Sequence, residues 1–325
     1  MRYFLGVDVG GTKTHALIAD EQGQALGFAE GGSGNHQSVG YEGLSGVLRN
    51  TVNAAHRKTG LSIERISGAG FGIGGYDWPS QLADHLDAIR PLGLQCPIEV
   101  ANDSIIGLMA GASRGWGVVL IAGTGNNCRG RDKGGREARI TGEGGHFGEY
   151  GGAVEMVERA VQAVSHEWTQ RGARTALTQM FIKMTGAKNL ESLIEGFDLK
   201  IYRPDASWAP FIFEAANRGD RIAREIIDWS GRESGESACA VIRQLKIEKD
   251  EFEVILVGSI FDGGELYIGP LRDTIHKFAP KARLVKLETP PVVGGVILGM
   301  QRAGLETVSL HERLIKTTRH LISDP

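Results

Sequence analysis

Two short glycine-threonine segments occupy matching places in the chain, each directly after an apolar stretch. The first is Asp8-Val-Gly-Gly-Thr-Lys-Thr14, and the second is Gly123-Thr-Gly-Asn-Asn127. Turns of this composition bring backbone N–H groups, hydroxyls and an ammonium group together, and such groups bind phosphate oxygens. The carboxylate of Asp8 is suited to hold a Mg²⁺ ion through water. The pattern predicts a nucleotide-phosphate site, although an ordinary hairpin turn is an equal alternative for the first segment alone.

The first segment differs from the two best known phosphate-binding patterns. It contains neither the Walker A pattern G-x-x-x-x-G-K-[ST] nor the dinucleotide fingerprint G-x-G-x-x-G. Gly10 and Gly11 instead predict a tight turn with positive φ. This turn would join two strands, Tyr3 to Val9 and Thr14 to Ala19, in a hairpin.

A carboxylate also follows another predicted strand. Asn102 and Asp103 come directly after the strand Ile98 to Ala101, at the start of a helix. Taken by itself, Asp103 is best interpreted as an N-cap, which stabilises a helix by about 1 kcal/mol.

The order of predicted elements repeats along the chain. Each half opens with a strand, a glycine-threonine turn and two further strands, and then alternates helices with strands. The first helix is predicted from Tyr41 to Lys58, and a long helical stretch from Pro210 to Leu245 is predicted to break near Gly231. The duplication predicts an α/β fold with two related lobes, residues 1–114 and 115–325, facing one cleft.

Composition excludes several classes of function. The 325 residues carry a net charge of −3 and a pI near 6.3, which argues against a nucleic-acid surface. The basic stretch from Arg129 to Arg139 surrounds a turn and predicts a solvated hairpin tip. Three scattered cysteines predict neither a zinc site nor disulfides and fit a reducing cytosol. No signal peptide or membrane span is predicted, so we expect a cytoplasmic protein without a membrane partner.

The ordered set of motifs resembles the superfamily of sugar kinases, actin and heat-shock-chaperone ATPases. The motifs that carry this resemblance are Asp8–Thr14, Asn102–Asp103, Gly123–Cys128 and Gly258–Ser259. Within that superfamily the chain is most similar to the N-acetylglucosamine kinase-like proteins of the BadF/BadG/BcrA/BcrD ATPase family. The resemblance covers nearly the whole chain. It implies an α/β fold of two ribonuclease-H-like (actin-like ATPase) lobes around a nucleotide cleft, with the last helix packed back on the first lobe.

The resemblance also implies roles for individual residues, with ATP and Mg²⁺ as cofactors and a small sugar as the partner. Asp103 would be the catalytic base, which accepts the proton of the attacking sugar hydroxyl. Asn102 before it and the two phosphate turns around it favour this role over the N-cap. Asp8 would lie at the metal. The ATP phosphates would contact the two turns at Gly11, Thr12, Lys13, Thr14, Gly123 and Thr124. The adenosine would contact glycine-rich backbone at Gly258, Ser259 and Gly294. The sugar would contact Asn35, Asp103, Gly125, Asn127 and Glu149.

Three activities remain compatible with the sequence. The leading one is an ATP-dependent kinase for N-acetylglucosamine or a related sugar. The second is an ATPase that activates a partner enzyme for electron transfer, but such activators hold an iron–sulphur cluster between several close cysteines. The third is a sensor that binds sugar and nucleotide without turnover. The chain reads Gly148-Glu-Tyr-Gly-Gly152 where the kinases carry Gly-Asp-Glu-Gly-Ser, so the sequence does not determine which sugar is the substrate. A homodimer is also compatible with the sequence.

Overall fold

The computed structural model describes residues 1–323, which contain ten strands and eleven α-helices. The last two positions of the second predicted lobe lie outside the described residues. The strands are β1 Tyr3–Val9, β2 Thr14–Asp20, β3 Ala25–Gly31, β4 Ile66–Ile73, β5 Ile98–Ala101, β6 Gly117–Ala122, β7 Asn126–Arg131, β8 Glu137–Arg139, β9 Glu253–Val257 and β10 Arg283–Lys286. The helices are α1 His36–Arg57, α2 Leu82–Ile89, α3 Asp103–Gly111, α4 Ala153–Trp168, α5 Ala176–Thr185, α6 Leu190–Asp198, α7 Ala209–Asn217, α8 Arg221–Leu245, α9 Glu265–Phe278, α10 Val292–Arg302 and α11 His311–Ser323. Within residues 1–323, every helix is too short or too polar to cross a membrane.

The strands form two five-stranded mixed sheets with the same topology. The orders are β3-β2-β1-β4-β5 and β10-β9-β6-β7-β8. In each sheet the first strand pairs antiparallel with the strand after the glycine-threonine turn and parallel with the fourth strand. The first strands are apolar along most of their length because helices cover both faces of each sheet. This repeat confirms the predicted α/β fold with two similar lobes.

Helices α10 and α11 follow the second sheet in the chain but pack against the first. Helix α10 lies on β1 and β4, and α11 lies on β3. The approach of α10 is so close that a Cβ atom on Gly6 would lie 2.3 Å from the backbone nitrogen of Val296. The glycines of β1 and β4 therefore allow a helix to rest nearly on the sheet backbone.

One predicted helix start is matched and one predicted helix break is wrong, and glycine geometry gives the reason in both cases. The span of α1 joins a short turn, which begins at His36, to a long helix across Gly40, whose backbone (φ 69°, ψ 171°) is not helical, so the predicted start near Tyr41 agrees with the long helix. The stretch from Pro210 to Leu245 breaks between α7 and α8, at Gly219 (φ 97°), and runs unbroken through Gly231. The carbonyl of Tyr267 would lie 2.5 Å from a Cβ on Gly231, so this glycine serves the packing of α8 on α9.

Candidate functional site

The first glycine-threonine turn lies in a cavity between the two sheets. The cavity has a volume of about 350 Å³ and is lined from both lobes. Neither Gly10 nor Gly11 has a positive φ, so that prediction is wrong. Instead, the N–H of Gly10 donates to the Lys13 carbonyl (2.9 Å), and the side-chain position of Gly11 faces open space. Glycine therefore leaves room above the turn. The cavity lining is Asp8, Gly10, Gly11, Thr12, Lys13, Asp103, Ser104, Gly107, Val119, Ile121, Val257 and Pro291.

The two predicted acidic residues, Asp8 and Asp103, share this cavity. Burial and the charge of Asp103 raise the pKa of Asp8 to about 7, against the opposing effect of Lys13. A buried carboxylate with this pKa is poised to bind a cation or a proton. Thr14, by contrast, is fully buried behind the turn and does not line the cavity.

Asp103 is the first residue of α3, but the N-cap of that helix is its neighbour. The Oδ1 atom of Asn102 accepts hydrogen bonds from the Ser104 N–H (3.1 Å) and the Ser104 hydroxyl (2.5 Å). The Oδ1 atom of Asp103 also accepts from the Ser104 N–H (2.9 Å), and its Oδ2 atom points towards Gly74. Burial raises the pKa of the Asp103 carboxyl. Because Asn102 already caps the helix, capping does not account for Asp103.

A buried ion pair between the lobes lies beside Asp103, and sequence reasoning missed it. Arg129 on β7 is 5% exposed, and its Nη2 atom donates to Asp77 Oδ1 (2.7 Å), in the loop after β4. Asn102 donates to the same oxygen (3.3 Å). The predicted solvated tip is therefore wrong for Arg129, although the turn at Asp132 is exposed hairpin. Strand alternation could have found it, since Asn127 and Arg129 share one face of β7.

The second turn is held against the start of α4. The carbonyls of Gly123 and Thr124 accept hydrogen bonds from the N–H groups of Ala153 (2.9 Å) and Val154 (3.0 Å). Open space lies above both Gly123 and Gly125. The positive end of the helix dipole favours an anion at this place.

A second cavity, of about 650 Å³, adjoins the second turn within the second lobe. Ser259 lines this cavity. Gly258 (φ 121°) allows the end of β9 to lie close to β6, because a Cβ atom there would be 2.1 Å from the Ala122 carbonyl oxygen. Gly294 lines neither cavity, because it packs α10 against the Ile106 carbonyl of α3. Gly123 and Thr124 of the second turn also line it. No motif pointed to the remaining lining residues, which are Ala153, Ala206, Ser207, Ala209, Pro210, Phe213, Asn217, Ile260, Asp262 and Gly263.

Two of the predicted sugar-contacting residues, Asn35 and Glu149, accept hydrogen bonds from their own chain segments. Asn35 caps α1 by accepting from the Gln37 N–H (2.9 Å) and lies beside Gly75. The carboxylate of Glu149 accepts three hydrogen bonds of 2.7 Å, from the N–H and hydroxyl of Thr141 and from the N–H of Gly142. Glu149 thus closes its loop onto itself.

The remaining predicted sugar contacts lie near that loop. Asn127 lies beside Gly142, whose Cβ would be 3.1 Å from the Asn127 amide. Tyr150, which stands in place of an acid, packs against Trp229 with ring centroids 5.5 Å apart.

Two lobes of one topology, each with a glycine-threonine turn directly after its first strand, define the class of actin-like proteins. The chain belongs to the BadF/BadG/BcrA/BcrD ATPase family, whose model matches residues 5–299. This match confirms the family predicted from the sequence. Membership of an ATPase family makes ATP the expected nucleotide of the cleft.

Similar proteins cover almost the full length of this chain. An N-acetylmuramic acid/N-acetylglucosamine kinase of Clostridium acetobutylicum is 28% identical over 92% of this chain and 98% of its own. An N-acetyl-D-glucosamine kinase of Dictyostelium discoideum is 25% identical over 91% of this chain and 97% of its own. A solved structure from Chromobacterium violaceum is described as a candidate N-acetylglucosamine kinase and is 25% identical to this chain. The two structures superpose with a TM-score of 0.63, over 92% of this chain and 99% of the other.

Proposed function

We propose that this protein is an ATP-dependent kinase that transfers the γ-phosphate to a hydroxyl of an amino sugar of the N-acetylglucosamine type. The observation that carries the proposal is the shared cavity of Asp103 and the first glycine-threonine turn. A general base and a phosphate-binding turn must lie this close for a hydroxyl to attack phosphorus in line. The names of the similar proteins supply the sugar class.

In this proposal the triphosphate lies between the two turns, with the adenosine in the 650 Å³ cavity beside Ser259. Lys13 and the α4 terminus offset the phosphate charge from opposite sides. Mg²⁺ usually takes one or two carboxylates and keeps several waters, and Asp8 with its raised pKa fits that demand. A bound Mg²⁺ would neutralise charge on the phosphates during transfer.

Asp103 would accept the proton of the attacking sugar hydroxyl. Burial raises the pKa of its carboxyl, while the Arg129 guanidinium opposes that rise. A carboxylate with a raised pKa is a stronger base than an exposed one, and its proton affinity then suits a hydroxyl donor. The sugar would lie between Asp103, Asn35 and Asn127.

The electron-transfer alternative finds little support in the cysteines. Cys128 and Cys239 are buried in the second lobe, and burial raises the pKa of Cys239 to about 11. Cluster ligands must be thiolates, which such burial disfavours. Within residues 1–323 no group of three or more metal-binding side chains occurs.

A coupled ADP-release assay tests the proposed function. The sugars are N-acetylglucosamine, glucosamine, N-acetylmannosamine and glucose, each at several concentrations, with ATP, Mg²⁺ and a control without sugar. We expect ADP release only with sugar, and the highest kcat/KM for an N-acetylated amino sugar. ADP release that no sugar accelerates would refute the kinase and favour the activating ATPase. Sugar binding without any ADP release would favour the sensor.

A further inference from the structure

Two segments that line the 650 Å³ cavity are far apart in the chain. One is the second turn, which contributes Gly123 and Thr124. The other is the short helical turn Ser259–Gly263, which immediately precedes α9. In the proposed function the second turn contacts phosphate, and the turn Ser259–Gly263 contacts adenosine. The binding of both ends of one nucleotide therefore depends on how these two segments are placed relative to each other.

Tyr267 on α9 is a fully buried side chain that connects the two segments. Its ring packs against Phe261 of the turn Ser259–Gly263, with ring centroids 5.7 Å apart. Its hydroxyl donates a hydrogen bond to the carbonyl of Gly151 (2.7 Å), two residues before α4. This bond uses the single proton of the phenol, so the Ser234 hydroxyl, 2.5 Å away, donates to the phenol oxygen.

A second buried side chain holds the neighbouring peptide group. The Nδ2 atom of Asn126 on β7 donates to the carbonyl of Tyr150 (2.8 Å) and to the hydroxyl of Ser237 (3.0 Å). The consecutive carbonyls of Tyr150 and Gly151 thus accept hydrogen bonds from side chains of two different elements. A buried carbonyl that loses its donor destabilises the conformation that buries it. These bonds therefore fix the path of the loop at Gly151, where φ is 128°.

The loop that these bonds hold lies directly against the second turn. A Cβ atom on Gly152 would lie 2.5 Å from the Cα atom of Gly125. The first two N–H groups of α4 donate to carbonyls of the same turn. A shift at Gly151 is therefore transmitted to the second turn through one residue. Tyr267 itself lines neither the 650 Å³ cavity nor the interlobe cavity, so it can affect a ligand only through this loop.

We propose that Tyr267 is a positioning residue, which holds the second turn in the place where the phosphates of a bound nucleotide can reach it. The inference rests on the proposed function, in which one ATP molecule contacts both segments. Without the Tyr267 hydroxyl, the Gly151 carbonyl loses its donor, and the loop is free to move away from Ser234. A phenylalanine ring would keep the contact with Phe261. The hydroxyl therefore acts on the phosphate end of the nucleotide, and the adenosine end is left unchanged.

Calorimetric titration of the full chain with two nucleotides tests this role. The probes, each with Mg²⁺, are adenosine and adenylyl imidodiphosphate, a non-hydrolysable analogue of ATP. The wild type should bind the analogue more tightly than adenosine, because only the analogue carries phosphates. In Tyr267→Phe this preference should fall about 5-fold, on the scale of one lost hydrogen bond, while the affinity for adenosine stays the same. The kcat for sugar phosphorylation should fall roughly 10-fold with an unchanged KM for the sugar, because the phosphate is misplaced.

Thr178→Val is the matched control. The buried hydroxyl of Thr178 donates to Glu167 (2.6 Å) at the opposite end of α4, so this variant also loses one buried hydrogen bond of the second lobe. The melting temperature should fall in both variants, but the preference for the analogue should fall only in Tyr267→Phe. Gly151→Ala should reproduce the effect of Tyr267→Phe, because its Cβ would lie 2.2 Å from the Ser234 hydroxyl oxygen and displace the loop.

The proposal would be overturned by a wild type without any preference for the analogue, or by a Tyr267→Phe variant that keeps the wild-type preference. Equal weakening of adenosine and analogue in Tyr267→Phe, or an equal loss of preference in Thr178→Val, would also overturn it, because Tyr267 would then only stabilise the lobe. The ADP-release assay separates this inference from the proposed function. Loss of the preference in Tyr267→Phe, with no sugar-dependent turnover in the wild type, would support the positioning role and refute the kinase. Sugar-dependent turnover with the preference intact in Tyr267→Phe would support the kinase and refute the positioning role.

Discussion

Asp8 and Asp103 are the two carboxylates of the interlobe cavity, and their surroundings suit different work. Asp8 ends β1 beside the Lys13 turn, where its raised pKa reflects burial and the Asp103 charge. Asp103 begins α3 with one oxygen hydrogen-bonded to Ser104 and the other turned towards Gly74. In the proposed function, Asp8 would hold a cation near phosphate, and Asp103 would accept a proton from the substrate.

Replacing Asp103 with asparagine should separate catalysis from folding. Asn102 remains as the N-cap of α3, so we expect the melting temperature to stay within a few degrees of the wild type. Sugar-dependent ADP release should fall by roughly 10²-fold or more, because the amide cannot accept the hydroxyl proton. ATP affinity, measured by calorimetry, should be nearly unchanged. Near-normal turnover in Asp103→Asn would remove Asp103 from the catalytic role.

Replacing Asp8 with asparagine should stabilise the protein in a pH-dependent way. The Asp8 pKa rises from 3.8 to about 7 on folding, so the folded protein keeps a proton that the unfolded chain has lost. The stability of the wild type therefore falls as pH rises from about 4 to 7 and stays lower above 7. Asparagine carries no such penalty. Without nucleotide or metal, Asp8→Asn should melt several degrees higher than the wild type at pH 8 and show little advantage at pH 4.5.

The exposed residue Asp87 provides the control for this titration. Its carboxylate pairs with Arg90 on the surface of α2, so Asp87→Asn should shift the melting temperature equally at both pH values. A pH-independent effect of Asp8→Asn as well would show that burial does not raise the Asp8 pKa. ADP release by Asp8→Asn should also fall, and excess Mg²⁺ should restore part of it.

Local sequence patterns located the residues whose neighbours are close in the chain. Asp8, Gly11 and Lys13 form one turn, so composition and spacing were enough to find their cavity. The buried ion pair of Arg129 was not predicted, because its partner Asp77 lies 52 positions away on the other lobe. Phe213 and Asn217 were not predicted to line the cavity of Ser259 for the same reason, because only tertiary packing brings α7 to Ser259.

At the scale of elements, strands and turns were easier to predict than helix ends. Strands β1, β2 and β6 are largely apolar runs bounded by glycine or aspartate, which fixes their positions closely. Glycine in a helix has several uses that composition alone does not distinguish. Gly40 kinks a helix, Gly219 separates two helices, and Gly231 and Gly294 admit a neighbouring helix.

Replacing Gly294 with alanine should destabilise the first lobe. A Cβ atom there would lie 1.8 Å from the Ile106 carbonyl oxygen, so α10 must move away from α3. Such overpacking against backbone should cost about 3 kcal/mol and lower the melting temperature by roughly 6 °C or more. The matched control is Gly46→Ala on α1, where no atom lies within 4 Å of the new Cβ. That change should leave stability equal or raise it by up to about 1 kcal/mol. A small effect of Gly294→Ala would instead return Gly294 to the proposed adenosine site.

At the scale of the molecule, the two lobes meet on α3 and on a small apolar cluster. Leu108 of α3 and Ala112, directly after it, pack there against Val119 and Ile255 of the second sheet. The proposed phosphate turns belong to different lobes. A ligand that binds both turns therefore gains most when the lobes approach each other.

We expect the lobes to close when nucleotide and sugar bind together. Asp103→Asn is the suitable form for the measurement, because it should hold ATP, Mg²⁺ and N-acetylglucosamine without consuming them. Small-angle X-ray scattering should give a smaller radius of gyration for this complex than for the free protein. ATP alone is the control and should produce a smaller change. A radius that stays constant while calorimetry reports binding would contradict closure.

Because α10 and α11 pack on the first sheet, they also determine the order in which the two cores can fold during synthesis on the ribosome. The buried residues of the second lobe's main core all lie within residues 116–282, which emerge as one stretch. Phe4 and Leu17 must instead wait for α10 and for Leu314. At roughly 5 to 20 residues per second, α11 emerges roughly 10 to 40 s after β5. The part of the chain made first is therefore finished last, and until then one apolar face of its sheet is exposed to chaperones.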